Sequence, residues 1–269
     1  MTGANRNGEE SDSLGIVIPA YRPDPDRLVN YVDAIDRRID PTTVRIELDA
    51  PDTSLLADLD GIPATVNAVA TRRGKGAAIT AGFEALDTDI LTFADADGAT
   101  PVDDLARIVD AVASGKTDLA IGSRRHPDAT VRSHQTIGRR YLGDLFAWIA
   151  RRLLDVQVYD YQCGAKAISA DTWGRVRAHL HEPGFAWDIE LLALTAARGG
   201  RIEEIPIEWH DRSGSTVDPI RTPLDLGLAL LSVRHRSKRL DGSRLHRTLA
   251  RGSRKSTSLI DQLGPEDAP

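Results

Sequence analysis

The sequence predicts an α/β protein built on a mostly parallel β-sheet that is flanked by helices. Over the first 125 residues, short apolar runs alternate with amphipathic segments four times, which is typical of parallel strands joined by helical crossovers. Polar residues follow the apolar runs at their carboxyl ends, where ligands bind in parallel sheets. With 269 residues and 41% hydrophobic content, the chain is long enough for a sizeable core.

Apolar periodicity locates the individual elements. The strands predicted in the first half are 14–19, 44–49, 64–70, the run that begins at Ile90, and 118–122. The helices predicted between them follow Asp24, Gly76 and Pro101. The second half predicts a long helix over 137–154, a loop and short strand over 160–168, helices over 172–180 and 185–198, and a final strand over 203–209.

Four segments follow from this pattern. Residues 1–13 are polar, lack the apolar core of a secretory signal, and are predicted to be a disordered lead. Residues 14–221 form the folded domain, residues 222–240 form an amphipathic, basic C-terminal helix, and residues 241–269 form a polar, disordered tail. No apolar run approaches the roughly 20 residues that span a bilayer.

Charge and cysteine content indicate the kind of environment and partners that suit the chain. The net charge is −6, with 30 Asp against 10 Glu and 29 Arg against 5 Lys, a balance that suits a salt-rich, halophilic and archaeal-like cytoplasm or a GC-rich genome. Residues 234–255 contain nine Lys or Arg and one acid, which indicates a nearby anionic surface. The single cysteine, Cys163, excludes an internal disulfide and a cysteine-based zinc cluster. Nothing in the pattern predicts a nucleic-acid partner.

The end of the fourth strand has the most distinctive pattern, because Asp95 and Asp97 are two residues apart and an extended chain points both the same way. Two carboxylates at the end of a buried parallel strand can hold a hard divalent cation and, through it, a diphosphate. The alternative is a polar strand end that caps the following helix.

Two further positions also allow two interpretations. The Gly74-Lys75-Gly76 turn matches neither the Walker loop nor the dinucleotide fingerprint, but helix-start N–H groups with Lys75 could receive a phosphate. The alternative there is an ordinary turn with a solvated lysine. Asp188 begins an apolar helix, where it is either a functional group or a helix cap.

Seven motifs occur in an order that resembles the family 2 glycosyltransferases of the GT-A fold. The similarity covers about residues 14–235 and is greatest to the dolichyl-phosphate hexose (glucosyl and mannosyl) synthases, nearer the glucosyl branch. The motifs are Ile16-Val-Ile-Pro-Ala-Tyr21, Gly74-Lys-Gly76, Asp95-Ala-Asp97-Gly98, Ile121-Gly-Ser-Arg124, Asp160-x-Gln-Cys-Gly-Ala-Lys166, Trp187-Asp-Ile-Glu-Leu-Leu192 and His210-x-Arg-x-Gly-Ser215.

The resemblance implies a nucleotide-sugar donor, Mg²⁺ or Mn²⁺ at the Asp-x-Asp, and a polyprenyl (dolichyl) phosphate acceptor. It places Pro19, Tyr21 and Asp49 at the nucleotide base. Lys75 would lie near the nucleotide, while Asp95 and Asp97 would serve the sugar and the metal. The donor and acceptor phosphates would be held by Arg124, Arg139, Arg212 and Ser215.

Two departures from the family pattern fall in the base-recognition region. The family usually has Asn-Glu after the tyrosine, where this chain has Arg22-Pro23. It usually has Asp-Asp-Gly-Ser after the second strand, where this chain has Asp49-Ala50-Pro51-Asp52. The resemblance therefore leaves the nucleotide open, with a UDP-hexose preferred and GDP-mannose as the alternative.

The predicted reaction is transfer of a hexose to the lipid phosphate with inversion, for protein N-glycosylation or glycolipid synthesis. An anionic acceptor needs no strong general base, so Asp188 is not assigned as one. The predicted catalytic residues are Asp97, Arg124, Arg212 and Asp188, the last to orient the sugar or an arginine. The alternatives are a sugar-hydroxyl acceptor with Asp188 as the base, and a nucleotide-sugar-binding module without catalysis. The 222–240 helix followed by basic residues predicts peripheral contact with the cytoplasmic face of a membrane, or else a helix packed on the domain.

Overall fold

The computed structural model describes residues 12–132, 146–210, 221–242 and 257–263. Seven strands form the main sheet in the order β3-β2-β1-β4-β7-β5-β8. They are β1 (Leu14–Tyr21), β2 (Thr43–Asp49), β3 (Thr65–Val69), β4 (Ile90–Ala94), β5 (Leu119–Ser123), β7 (Ala165–Ser169) and β8 (Ile202–Pro206). A separate pair is formed by β6 (Thr130–Arg132) and β9 (Glu208–His210).

Helices cover both faces of the main sheet, each over its own apolar core. One face carries α1 (Pro25–Ile39), α2 (Thr53–Asp58) and α4 (Val102–Ala113). The other carries α3 (Lys75–Glu84), α5 (described over 146–153), α6 (Ala170–Val176), α7 (Trp187–Ala197) and α8 (Arg221–Leu240). Burial on both faces explains why the central strands are continuous apolar runs.

Local chemistry sets several element boundaries as the sequence predicts. At α1, the Asp24 side chain accepts a hydrogen bond from the Arg27 N–H at 3.1 Å, and Pro25 occupies the first helical turn, which is favourable because no intrahelical N–H bond is lost there. The helix ends at Asp40, which has a left-handed backbone conformation. The first four strands, and helices α1 and α3 between them, follow the sequence prediction.

The sheet is parallel except around β7, which pairs antiparallel with both β4 and β5. Because β7 lies between them, the loop that precedes it is delivered to the same edge as the ends of β4 and β5. The alternation of apolar residues did not reveal this insertion, since it fixes an element's faces but not its neighbours.

Other differences from the sequence prediction are local. The predicted strand 203–209 is interrupted after Pro206, and its second part leaves the main sheet to pair with β6. Helix α2 and strand β6 were not predicted. Part of the tail predicted to be disordered is ordered over 257–263, where Leu259 is buried and its N–H donates to Leu180 O at 2.8 Å.

Candidate active site

Strand β4 places two carboxylates at the carboxyl edge of the sheet. The Asp95 N–H donates to Gly164 O at 2.8 Å, which ties this strand end to the loop before β7. Asp97 Oδ1 accepts from the Ala99 N–H at 2.9 Å. Gly98 turns the chain with a φ of +60° against the ring of Tyr31, a backbone conformation that glycine adopts without strain.

Two lysines and two aspartates alternate in the floor of this site. Lys75 Nζ lies 2.9 Å from Asp95 Oδ1 and 3.2 Å from Asp188 Oδ2. The other oxygen of Asp188, Oδ1, lies 2.5 Å from Lys166 Nζ, which also donates to Cys163 O at 2.8 Å. Asp188 and Lys166 are each only 1% exposed. Both oxygens of Asp188 are therefore engaged by ammonium groups.

The lysine–aspartate array shifts the pKa values of Lys75 and Asp95. Burial by itself lowers the pKa of Lys75, but the carboxylates of Asp188 and Asp95 outweigh it and raise that pKa above its ordinary value. Burial raises the pKa of Asp95, with contributions from Asp97 and Asp188, while Lys75 opposes the rise. Lys75 thus stays cationic beside the two acids of the strand end.

Arg124 follows β5 and is fixed by the loop before β7. Its Nε and Nη2 lie 2.6 and 2.9 Å from the two oxygens of Asp160, and Nη2 donates to Gln162 O at 3.2 Å. Burial favours a higher pKa for Asp160, but Arg124 lowers that pKa to about 2. Glu204 on β8 accepts the N–H groups of Tyr159 and Asp160. Strand β8 therefore fixes Asp160, which in turn fixes Arg124.

The turn that carries Lys75 is held by hydrogen bonds to Asp49, at the end of β2. Asp49 Oδ2 accepts the N–H groups of Arg73 and Gly74 at 2.8 and 3.0 Å, and Oδ1 accepts from Arg73 Nε at 2.8 Å. Gly74 has a φ of +101°, which favours glycine. Asp49 therefore shapes the Lys75 turn, and it is 3% exposed.

The predicted base side of the site lies beside β1 and β2. The Tyr21 ring is partly exposed and contacts the guanidinium of Arg72, whose Cζ is 4.2 Å from the ring centroid. Pro19 is also partly exposed on β1. A cavity of about 500 Å³ lies next to them, and both departures from the family pattern line it: Arg22 and Pro23, and Ala50, Pro51 and Asp52.

The acidic strand end fits a metal that arrives with its substrate. Among the described residues, no group of three or more His, Cys, Asp or Glu side chains could hold a metal ion. Asp95 and Asp97 offer two carboxylates, of which Asp95 is partly exposed and Asp97 is exposed. Mg²⁺ is commonly bound by one or two carboxylates together with substrate phosphates, so this donor set suits a metal–diphosphate complex.

Three predicted phosphate-binding residues, Arg139, Arg212 and Ser215, lie outside the described residues. Two structural partners were not assigned a role from the sequence: Lys166, which holds Asp188, and Asp160, which holds Arg124. Both belong to the Asp160–Lys166 motif. The available signal was a charged residue at each end of this short motif, in the predicted loop and short strand over 160–168.

Fold and site together define a class, that of α/β proteins with an acidic, lysine- and arginine-lined cleft at the carboxyl edge of a mostly parallel sheet. Residues 16–168, more than half of the chain, match the glycosyl transferase family 2. The chain belongs to that family.

Curated relatives cover part of the chain. A glycosyltransferase, AglD, of Haloferax volcanii is 33% identical over 163 residues, 60% of this chain and 25% of the relative. A dolichyl-phosphate beta-glucosyltransferase of Saccharomyces cerevisiae is 33% identical over 172 residues, 57% of this chain and 51% of the relative. The chain thus spans about half, or less, of the length of these relatives.

Solved structures share the fold. Glucosyl-3-phosphoglycerate synthase from Mycobacterium tuberculosis, crystallised with Mn²⁺, UDP and glucosyl-3-phosphoglycerate, matches with a TM-score of 0.61 at 19% identity, covering 86% of this chain and 80% of that one. Mannosyl-3-phosphoglycerate synthase from Rubrobacter xylanophilus matches with a TM-score of 0.65 at 13% identity, covering 86% and 75%. The GT-A fold predicted from the sequence is confirmed.

Proposed function

We propose that this protein transfers a hexose from a nucleotide sugar, a UDP-hexose in preference to GDP-mannose, to dolichyl or another polyprenyl phosphate. The observation that supports it most is the lysine–aspartate array, in which Lys75 faces the strand-end acids and Asp188 has both oxygens engaged. The names of the relatives, which include several dolichyl-phosphate beta-glucosyltransferases, agree with this acceptor.

The reaction needs charge stabilisation at the leaving diphosphate. Asp95 and Asp97 would hold Mg²⁺ or Mn²⁺, which when bound supplies Lewis-acid stabilisation of that diphosphate. Lys75 adds a fixed positive charge that does not have to reorganise as negative charge develops. Arg124 uses Nε and Nη2 to bind Asp160 and Gln162 O, so it would offer its permanent charge and its Nη1 group to a phosphate.

The acceptor chemistry agrees with the absence of a free base at Asp188. A phosphate monoester is already anionic near neutral pH, so its oxygen can attack the anomeric carbon directly, with inversion. We assign the acceptor and donor phosphates to Arg124 together with Arg139, Arg212 and Ser215, and the base to Pro19 and Tyr21. Asp49, which the sequence also placed at the base, is buried with both oxygens hydrogen-bonded to the 73–74 turn, so it would act on the donor by holding that turn. Asp188 serves as counter-ion to Lys75 and Lys166.

The decisive experiment is incubation of the full chain with a panel of nucleotide sugars, Mg²⁺ or Mn²⁺, and dolichyl phosphate, with the lipid product identified by mass. We expect a hexosyl phospholipid only when metal is present. Asp97→Asn should abolish product, whereas Asp171→Asn, at an exposed surface ion pair, should not. Metal-dependent donor binding without any product in the panel would instead favour a non-catalytic binding module.

A hydroxyl acceptor remains the competing reaction, and it requires Asp188 as the general base. For a phosphate acceptor, we expect Asp188→Asn to raise the donor KM more than it lowers kcat, because Lys75 loses a partner. A lost general base would lower kcat by about 10²- to 10⁴-fold. Steady-state kinetics on the folded variant, with the unfolding midpoint as control, separate the two.

We also propose peripheral contact with an anionic membrane on the cytoplasmic face. Among the described residues, no helix is both long enough and apolar enough to cross a membrane. Helix α8 leaves Leu228 and Leu231 exposed, at 69% and 56%, and ends in basic residues. Trp148 on α5 is 53% exposed, and α8 contacts the end of α5 through an ion pair between Lys238 and Asp155.

A further inference from the structure

A second buried carboxylate lies on α7, two residues after Asp188. Glu190 is 0% exposed and does not reach the lysine–aspartate array. Its Oε2 accepts the backbone N–H groups of His181 and Glu182, each at 2.8 Å. Glu190 therefore fixes the start of the segment 181–184, which we call the support loop.

The support loop lies directly against the Lys75 turn. The Ala77 N–H donates to Pro183 O at 3.0 Å. A Cβ on Gly74 would lie 2.6 Å from Pro183 O, and one on Gly76 would lie 2.6 Å from Glu182 O. Real Cβ atoms essentially never come this close to other atoms, so the two glycines are required by this packing, and a shift of the support loop would be transmitted to Lys75.

Helix α8 reaches the same loop through Arg236. Its Nε lies 2.7 Å from Glu190 Oε1, and its Nη2 forms an ion pair with Glu182. The Arg236 side chain is largely buried, whereas Leu226, Leu230 and Val233 already pack α8 on the core. Burying an ion pair adds little stability compared with apolar packing, so its presence indicates a role in fixing position.

We propose that Arg236 and Glu190 are positioning residues, through which α8 sets the Lys75 turn for the donor diphosphate. The contacts form one continuous path from α8, through Glu190 and the support loop, to Lys75 and Asp95. The effect on the donor rests on the proposed function, while the mechanical link between α8 and the turn does not. Through this path the helix proposed to meet the membrane is coupled to the reaction centre.

Two measurements on Arg236→Met test the link. Hydrogen exchange of the peptides that cover 72–78 and 181–186 should become faster, and affinity for UDP with Mn²⁺ should fall, each by roughly two- to thirty-fold, the range seen for mutations along coupled networks. Arg201→Met, which removes an arginine from an exposed ion pair with Asp118, is the matched control and should change neither.

A second variant covers the case in which Arg236→Met does not fold. Glu190→Gln combined with Arg236→Met removes both charges of the Glu190–Arg236 contact, and Glu182, which also loses Arg236, keeps 20% of its side chain exposed to water. The double variant is expected to fold and to show the same faster exchange in the turn. Unchanged exchange at 72–78 in a folded variant would overturn the proposal. If wild-type protein binds neither UDP nor GDP in the presence of Mn²⁺, the proposed function fails, and the exchange measurement still decides the link.

Discussion

At the residue scale, Asp188 illustrates how contacts determine what a carboxylate can do. Its two oxygens lie against Lys75 and Lys166, and its side chain is almost fully buried. Removing one member of such a buried charge group leaves the others uncompensated. In the proposed reaction Asp188 therefore acts through the geometry of the lysines, whereas an accessible acid at this position would have favoured base catalysis.

Glu190 gives a prediction for the pH dependence of stability. Burial raises its pKa from 4.5 to about 7, while Arg236 and the support-loop N–H groups oppose the rise and Glu182 adds to it. Between about pH 4.5 and pH 7, the Glu190 carboxyl group therefore binds a proton more tightly in the folded state than in the unfolded state. We expect the free energy of unfolding to fall as pH rises from about 4.5 to 7, by about 3 kcal/mol from this group.

The measurement is denaturant unfolding of wild type and Glu190→Gln across pH 4.5 to 8. The contribution of Glu190 should be fully present below its unfolded pKa and lost above about pH 7, so the wild-type curve should fall relative to that of the variant. Other carboxylates affect both proteins equally and cancel in the difference. Parallel curves would contradict the assignment.

At the scale of elements, the position of β7 determines which loops lie next to the ends of β4 and β5. Because it runs antiparallel between β4 and β5, the residues just before it lie beside Asp95 on one side and Arg124 on the other. Gly164 is the point of closest approach, since a Cβ there would lie 1.9 Å from Asp95 Oδ2. The strand order thus brings Asp95 and Arg124 into one site.

Gly164→Ala should therefore displace the Asp95 carboxylate from Lys75. We expect turnover to fall by about 10²-fold, the typical cost of a misplacement of about 1 Å, with only a modest loss of stability. Steady-state turnover and thermal unfolding would be measured together.

The matched control is Gly174→Ala on α6, where nothing lies within 4 Å of the added Cβ. That variant should keep its activity and gain up to about 1 kcal/mol of stability, because alanine favours the helix over glycine. Equal activity of the two variants would show that Asp95 does not need its observed position.

At the scale of the whole molecule, α8 has two different faces. Leu226, Leu230 and Val233 recur at helical spacing and pack on the core, while Leu228 and Leu231 face outward. The sequence left two alternatives for this helix, one in which it packs on the domain and one in which it lies on a membrane. One face is packed on the domain, and the other is left for the proposed membrane contact.

Replacing both Leu228 and Leu231 by asparagine should weaken sedimentation with anionic vesicles by at least about tenfold at low salt, because each inserted leucine contributes about 1.5–3 kcal/mol. High salt should weaken wild-type binding as well, by screening the basic residues. Leu56→Asn, at an exposed leucine on α2, is the control. No retention of wild type at low salt would contradict the membrane proposal.

The sequence by itself determined the alternating β/α order, and it predicted a site at the carboxyl edge of the sheet with Asp95 and Asp97 in it. These features depend on local periodicity and on residues adjacent in the chain, which a single sequence displays directly. It also indicated Lys75, from the Gly74-Lys75-Gly76 turn before a predicted helix, and Arg124, which comes just after the fifth predicted strand.

Only the tertiary structure decided which groups neutralise one another. Lys166 meets Asp188, Asp160 holds Arg124, and Arg236 reaches Glu190, across separations of 22 to 46 residues along the chain. Such pairings depend on strand order and helix packing, since the insertion of β7 and the docking of α8 bring distant side chains together. Local sequence patterns do not encode that information, because any buried acid could pair with several cations until the fold selects one.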